Sequence, residues 1–516
     1  MYVMYLKKQT ILLLIVMLLI ATIFNFNCGK KTEPDQVVLA KVGDKVITAE
    51  EFRFNYEFGL PHLKLGPNPK ESYLNYMIKE ELLALAGYDE GLDNSERVQR
   101  LENELTEELL VEQLFKKEVD DKITVTPDEI KDAIVKSSVK WKLRYWVEPS
   151  PDHANSVYAA MRKNGYGAVV DEILKSNPEI RMNMKDFETD YLTWLDVPPE
   201  LLDAINDLPV GEITEPVEMN GAYFIFQLMD IRREPLSEYE IHKKSSSYKK
   251  ILSAKKASKK ASEYVSAFMT PKNVVTKGDA FWDLSNALIE WHKTGMVDSV
   301  NFEEAVQTAD NKNSALFKLK DELNKTLVTF SGGEWSVRDF LDRFNENTIK
   351  FEPSNEDSYR DKLNQQVALK IRNLFFIREA RKRDLDEETS LQKELQMWRD
   401  KWVYEEARDY FTGNLTIDDE AAKKYFSKFK DKYKSRKDEV PAFEKLAPVV
   451  RRDALRQRKL ALLAQKLDSL KTHYPLYIDK TVLDTIKVSD SKINMQVFKR
   501  SSGRLARPIV DPSWIQ

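Results

Sequence analysis

The feature that most constrains this chain is a pattern used twice. Residues 37–52, VVLAKVGDKVITAEEF, place alternating apolar residues on either side of a Gly43-Asp44 turn and then lead into a helix behind Thr48. Alternation is the two-residue period of a half-buried strand, and a Gly-containing turn supports a hairpin. A threonine at a helix entrance accepts a backbone N–H that would otherwise lack a partner. Residues 326–340, TLVTFSGGEWSVRDF, repeat the arrangement, with Ser331, Gly332 and Gly333 as the turn and Ser336 as the cap. Phe52 and Phe340 then occupy equivalent core positions in the first helical turn.

Further landmarks recur in the same order. Ser72-Tyr73 and Ser358-Tyr359 each begin a helical stretch, and Leu92-Asp93 and Leu385-Asp386 each precede a long amphipathic helix. The first of these long helices carries Val98, Leu101, Leu105 and Leu109 at helical spacing. KITVTPDEIKDAI (122–134) and NLTIDDEAAKKYF (414–426) follow, each a short extended piece and a helix start. Matched landmarks in one order indicate duplication.

The copies then differ. The first continues through 139–233 with mixed strand and helix character, whereas the second has only KDKYKSRKDEVP (430–441). Both resume with a long helix, over 236–268 and 442–470. The first of these is expected to pack through Ile251, Ala254, Ala257, Ala261, Val265 and Phe268. Its lysine pairs at 243/244, 249/250, 255/256 and 259/260 point in several directions and read as a solvated surface. The fold class is therefore α+β and mostly helical, a duplicated helical unit with one inserted α+β domain. The expected domains are a first unit of 37–138 plus 236–283, an inserted domain at 139–233, a linker region at 284–324, a second unit at 325–480 and a tail at 481–516. Trp282 and Trp291 lie in the helical connection between the halves.

Composition fits a helix-rich chain, with 42% hydrophobic and 32% charged residues. A formal net charge of −4 implies no polyanionic partner, so nucleic acid is not expected. The N-terminus departs from this balance. Lys7 and Lys8 precede an apolar run over 11–24, and Cys28, the only cysteine, follows it. That run has the form of a secretory signal and is short for a membrane-spanning helix. Cys28 stands where a bacterial lipoprotein carries its lipidated thiol, giving a signal over 1–28 and a tether over 29–36. Asn25, Phe26 and Asn27 replace the usual small residues, which leaves an uncleaved signal anchor as the alternative. Either way, the expected location is the cell envelope, on the periplasmic side of a membrane.

The segment AKVGDKVITAEEF (40–52) is similar to the start of the chaperone domain in SurA/PrsA-type periplasmic chaperones. Residues 208–230, LPVGEITEPVEMNGAYFIFQLMD, resemble the C-terminal motif of the parvulin (PpiC-type) prolyl isomerases, with Gly211, Glu212, Ile213, Pro216, Val217 and Gly221 matching. WKLRYWV (141–147) stands where parvulins carry their first strand. The resemblance implies a peptidyl-prolyl isomerase domain without cofactor or metal, carried by a chaperone. Its partners would be unfolded exported polypeptides and proline-containing segments.

The implied active site departs from that family. Tyr145 replaces the first-strand histidine, and Phe224 or, in the neighbouring register, Tyr223 replaces the last-strand one. Phe226 lies beside them, and the stretch 190–194, ending at Trp194, lacks the family's glycine pair. The five histidines, His62, His153, His242, His292 and His473, fall at none of these positions and read as surface or packing residues. Rotation about an X–Pro bond faces a barrier of roughly 18–20 kcal/mol. Catalysis needs an apolar pocket and stabilisation of a twisted amide, not a nucleophile. An all-aromatic site is thus expected to keep binding and to lose most or all turnover. No nucleophile elbow, phosphate loop, dinucleotide fingerprint or zinc motif occurs. The acidic residues fall at helix-surface spacings and read as solvation.

Two functions remain. One is a folding factor that holds clients on aromatics such as Phe52, Phe54, Tyr56, Phe58, Phe340 and Phe344. The other is a scaffolding lipoprotein with one dedicated partner.

Overall fold

A computed structural model of the chain describes residues 37–177, 182–219, 221–295, 297, 299–434, 440–489 and 505–514. The expected signal, tether and Cys28 lie outside the described residues. The first copy runs through β1 (Val38–Val42), β2 (Lys45–Thr48), α1 (Ala49–Phe58), α2 (Pro69–Asp89), α3 (Glu96–Glu118) and α4 (Pro127–Lys136). The inserted stretch forms β3 (Val139–Glu148), α5 (Pro151–Asn164), α6 (Tyr166–Ser176), β4 (Glu188–Leu192), α7 (Pro199–Ile205), β5 (Val217–Met219) and β6 (Ala222–Arg233). It is followed by α8 (Glu238–Met269), β7 (Val275–Thr276), α9 (Gly278–Lys293), α10 (Phe302–Thr308) and α11 (Ala315–Glu322). The second copy gives β8 (Thr326–Phe330), β9 (Gly333–Ser336), α12 (Val337–Leu341), α13 (Glu356–Lys382), α14 (Thr389–Thr412) and α15 (Asp419–Lys428). It closes with α16 (Phe443–His473), β10 (Leu476–Ile478) and α17 (Lys480–Thr485). Helices dominate over three small antiparallel sheets.

The two hairpins are built alike. Gly43 turns the first with φ of 60° and Gly332 the second with φ of 91°, a region that favours glycine. Thr48 and Glu51 form a reciprocal capping box at α1, and Ser336 and Asp339 do so at α12. Each hairpin, however, is completed by the other copy. β1 pairs with β10, Ala40 opposite Ile478 and Val42 opposite Leu476. β8 pairs with β7, Val275 opposite Thr329. The chain accordingly falls into two compact units, one combining residues up to Val111 with those from Glu379 onward, the other running Glu112–Arg378. This grouping cuts across the units read in the sequence, 37–138 plus 236–283 and 325–480. The completing strands are only three and two residues long, and backbone hydrogen bonds do not depend on side-chain identity, so either hairpin accepts either strand.

In the first unit, Leu39, Val42, Phe52, Tyr73 and Leu82 pack with Tyr404, Ala407, Leu463 and Leu467 of the second copy. In the second unit, Leu284, Leu288 and Trp291 pack with Leu327, Phe340, Tyr359 and Leu363. Residues 284–324 thus supply core as well as connection, although Trp282 stays 52% exposed. The aromatics proposed to line a client surface are core instead. Phe52, Tyr56, Phe58, Phe340 and Phe344 are all buried, and half-buried Phe54 packs on Phe58 at 4.6 Å. Of the expected stripe on α8, Ala257, Ala261, Val265 and Phe268 are half-buried, whereas Ile251 and Ala254 are exposed, and Tyr248, Leu252 and Tyr264 are half-buried too. Tyr264 and Phe268 reach Phe376 at 5.9 and 5.2 Å.

Candidate functional site

The inserted stretch forms a four-stranded antiparallel sheet in the order β4-β3-β6-β5. Its long central pair runs from Val139 opposite Arg233 to Glu148 opposite Tyr223. Glu234 N donates to Ser138 O at 2.8 Å, so the stretch enters and leaves through adjacent residues.

Alternation gives the sheet two apolar faces. On one, Trp146 and Ile225 pack against Met161 of α5 and Tyr166, Val169 and Val170 of α6. On the other, Trp141, Leu143, Phe226 and Leu228 pack against Val197 and against Leu201 and Ile205 of α7. Tyr145 and Phe224, both half-buried, extend this second face. Tyr145 lies opposite Phe226 and Val147 opposite Phe224, which puts all four side chains on one side. The Tyr145 ring lies 6.5 Å from Phe224 and 6.4 Å from Phe226, and the two phenylalanines stack at 5.9 Å.

The register separates the two candidate positions. Phe224 shares a face with Tyr145, whereas Tyr223 is one residue out of phase and lies opposite Glu148 and Glu218. Trp194 sits at the edge of the second face, but its Nε1 donates to Ala133 O at 3.0 Å and to Ser137 Oγ at 2.9 Å. It anchors the domain to the end of α4, and Lys255 of α8 lies 5.0 Å above its ring.

The chemistry of this patch is apolar. Buried Thr214 brackets Phe226, its Oγ accepting from Phe226 N at 3.1 Å and its N–H donating to Phe226 O at 2.8 Å. The nearby ion pair of Arg144 and Glu188 belongs to the opposite face, with the guanidinium 5.9 Å from the Tyr166 ring. Arg144, then Lys142, hold the Glu188 carboxyl below the usual range. His62, His153, His242 and His473 are exposed. His292 is half-buried elsewhere, stacked 5.0 Å from Phe351 with Tyr359 Oη at 3.2 Å, and burial lowers its pKa. Among the described residues, no cluster of three or more His, Cys, Asp or Glu could hold a metal, and no helix is long and apolar enough to cross a membrane.

Reading acidic residues as solvation missed a polar centre in the first unit. Glu80 and Glu81, adjacent on α2, turn inward. Glu80 Oε2 accepts from Lys401 Nζ at 2.7 Å, both side chains being about 12% exposed or less. Glu81 Oε2 has no hydrogen-bond partner. Burial first, then neighbouring Asp400, raise the Glu81 carboxyl to about 8. Asp400 itself binds Lys45 at 2.9 Å and accepts from Tyr88 and Gln396. The signal was present: two glutamates followed directly by the fully buried run Leu82 to Ala86 cannot both face water.

No family model matches the sequence, and no curated protein matches it. Among solved structures, the chain is similar to the peptidylprolyl isomerase PrsA from Bacillus anthracis at 14% identity. That match covers 38% of this chain and 96% of the other, with a TM-score of 0.23. A SurA-like chaperone of Campylobacter jejuni matches at 15% identity, covering 47% and 100%, with a TM-score of 0.22. PrsA from Bacillus subtilis matches at 18% identity over 48% and 97%, with a TM-score of 0.15. The solved structures this chain is similar to are PrsA and SurA-like peptidyl-prolyl isomerase chaperones.

Proposed function

We propose that this chain is an exported folding factor, held at a cell-envelope membrane through Cys28, that binds unfolded polypeptides and has little or no isomerase activity. The observation that carries this reading is the aromatic face of Tyr145, Phe224 and Phe226, where no titratable group other than the Tyr145 phenol joins the rings. Such a face attracts a proline ring through apolar contact and excludes water. It presents no arranged polar group to the amide as that amide twists out of conjugation, so substrate and transition state are held about equally, which gives binding without acceleration. The patch combines half-buried Tyr145 and Phe224 with buried Phe226.

The test pairs two assays on the full chain: acceleration of X–Pro isomerisation in short peptides, and suppression of aggregation of an unfolded substrate. The reading expects the second without the first. A scaffold with one fixed partner is the second reading, favoured by the burial of Phe52, Tyr56, Phe58, Phe340 and Phe344, which removes the broad aromatic client surface. One stoichiometric partner in a gentle pull-down, in place of many polypeptides, would establish it.

A further inference from the structure

The first unit carries a segment, residues 505–514, irregular as far as Asp511 and ending in a 3-10 turn over Pro512–Trp514, that is seated on α1, α2 and α14. Its backbone meets four side chains, with His62 Nε2 3.4 Å from Pro512 O, Arg456 donating to Ser513 O at 3.4 Å, and Asn55 and Glu80 reading residues 508–511. Asn55 Nδ2 donates to Pro508 O at 3.2 Å, while Asn55 Oδ1 accepts from Val510 N at 3.0 Å. One amide thus spans the carbonyl and the N–H on either side of Ile509, a contact that any extended segment can make. Glu80 Oε1 then accepts from Asp511 N at 2.7 Å and from Trp514 Nε1 at 3.1 Å.

Side-chain seats accompany the backbone contacts. Val510 is 1% and Trp514 8% exposed. The Trp514 indole stacks on Tyr404 at 6.1 Å, with Lys79 5.3 Å above it. Asp511 pairs with Arg408 and accepts from Tyr404 Oη at 3.2 Å. Val510 and Trp514 join the buried core beside Phe52, Tyr73 and Tyr404. Residues 508–510 border a partly open pocket of about 60 Å³, also lined by Glu81, Met397 and Asp400, so the packing around them is incomplete. Main-chain recognition by fixed side chains, with apolar seats beside it, is the logic of peptide-binding grooves.

We propose that this groove is a peptide-binding site for extended segments of other polypeptides with an apolar residue, a following carboxylate and a nearby aromatic, and that residues 505–514 are its resident competitor. The proposal does not depend on the isomerase or holdase reading, because it is scored by binding alone. A tethered competitor acts at roughly millimolar effective concentration, so the intact chain masks its own site.

The test uses a fluorescein-labelled peptide, LARPIVDPSW, titrated against the full chain and against a chain ending at Arg504, with anisotropy as readout. The shortened chain should bind at least about tenfold more tightly than the full chain, a difference of about 1.4 kcal/mol. Asn55→Ala or Glu80→Gln in the shortened chain should weaken binding by at least about tenfold. A Val510→Asp, Trp514→Ala double variant of the full chain releases the segment without deleting it and should bind the peptide as the shortened chain does. No binding by either folded variant would overturn the proposal. So would failure of both to fold, since a segment the core requires is not an exchangeable occupant. A tighter peptide complex that forms only as the chain dimerises would assign the groove to the tail of a second copy and overturn the choice of partner.

Discussion

Glu81 gives the sharpest prediction about stability. Its carboxyl sits in the first unit, where burial first and then Asp400 raise its pKa, Lys45 opposes them, and Glu80 and Glu51 add to the rise. The sign follows from linkage: a carboxyl whose folded value lies above its unfolded value favours the fold when protonated. That contribution is whole below the unfolded value and is lost as pH rises towards the folded one. With about 8 in the fold against an ordinary 4.5, several kcal/mol is lost between about pH 5 and about pH 8. Glu81→Gln keeps the shape and removes the charge, so the unit should lose far less stability over that range. Amide exchange of peptides from α2 and α14, corrected for intrinsic rates, reads the opening free energy directly. Equal slopes for Glu81→Gln and the parent chain would refute the reasoning, as would a parent chain whose protection is flat with pH.

Four further outcomes are expected. Deleting 139–233 behind a short linker should leave the helical signal of the remaining chain intact by circular dichroism, because Ser138 and Glu234 are already hydrogen-bonded neighbours. In the excised 139–233 domain, Phe226→Ala should cost about 3 kcal/mol in urea unfolding, since Phe226 is 5% exposed between Leu228 and α7. Phe224→Ala should cost about 1 kcal/mol, because that ring is only partly buried. Cys28→Ser should release the exported chain from the membrane or leave it as an unprocessed precursor; a processed, still membrane-bound product would argue against lipidation.

Local features were legible where a short spacing has one physical solution. The two capping boxes and the glycine turns announce themselves within four residues, and both appear where the repeat put them. The exchange of β7 and β10 was not legible, because two or three strand residues carry no pattern that selects one hairpin over another. The aromatics at 52, 54, 56 and 58 were expected to line a client surface, but α1 has partners on more than one side, and Phe52 and Tyr56 reach Tyr73 at 6.3 and 5.3 Å. In the inserted domain, the sequence named Tyr145, Phe224 and Tyr223 without ordering them. Strand phase decides, since one residue of register turns a side chain to the other face. The seat of residues 505–514 depends on Asn55 and Glu80, more than four hundred residues away in sequence, and no local pattern foretells it.

The central claim, binding by an aromatic face without turnover, is tested most directly by isomerisation of a short X–Pro peptide in the presence of the full chain. Uncatalysed exchange takes roughly tens to hundreds of seconds, so even slight acceleration would register. The account predicts an exchange rate close to the uncatalysed one at chain concentrations that suppress aggregation of an unfolded substrate. An efficiency comparable to that of a parvulin with both histidines would contradict it, and would show that the pocket of Tyr145, Phe224 and Phe226 alone supplies the acceleration.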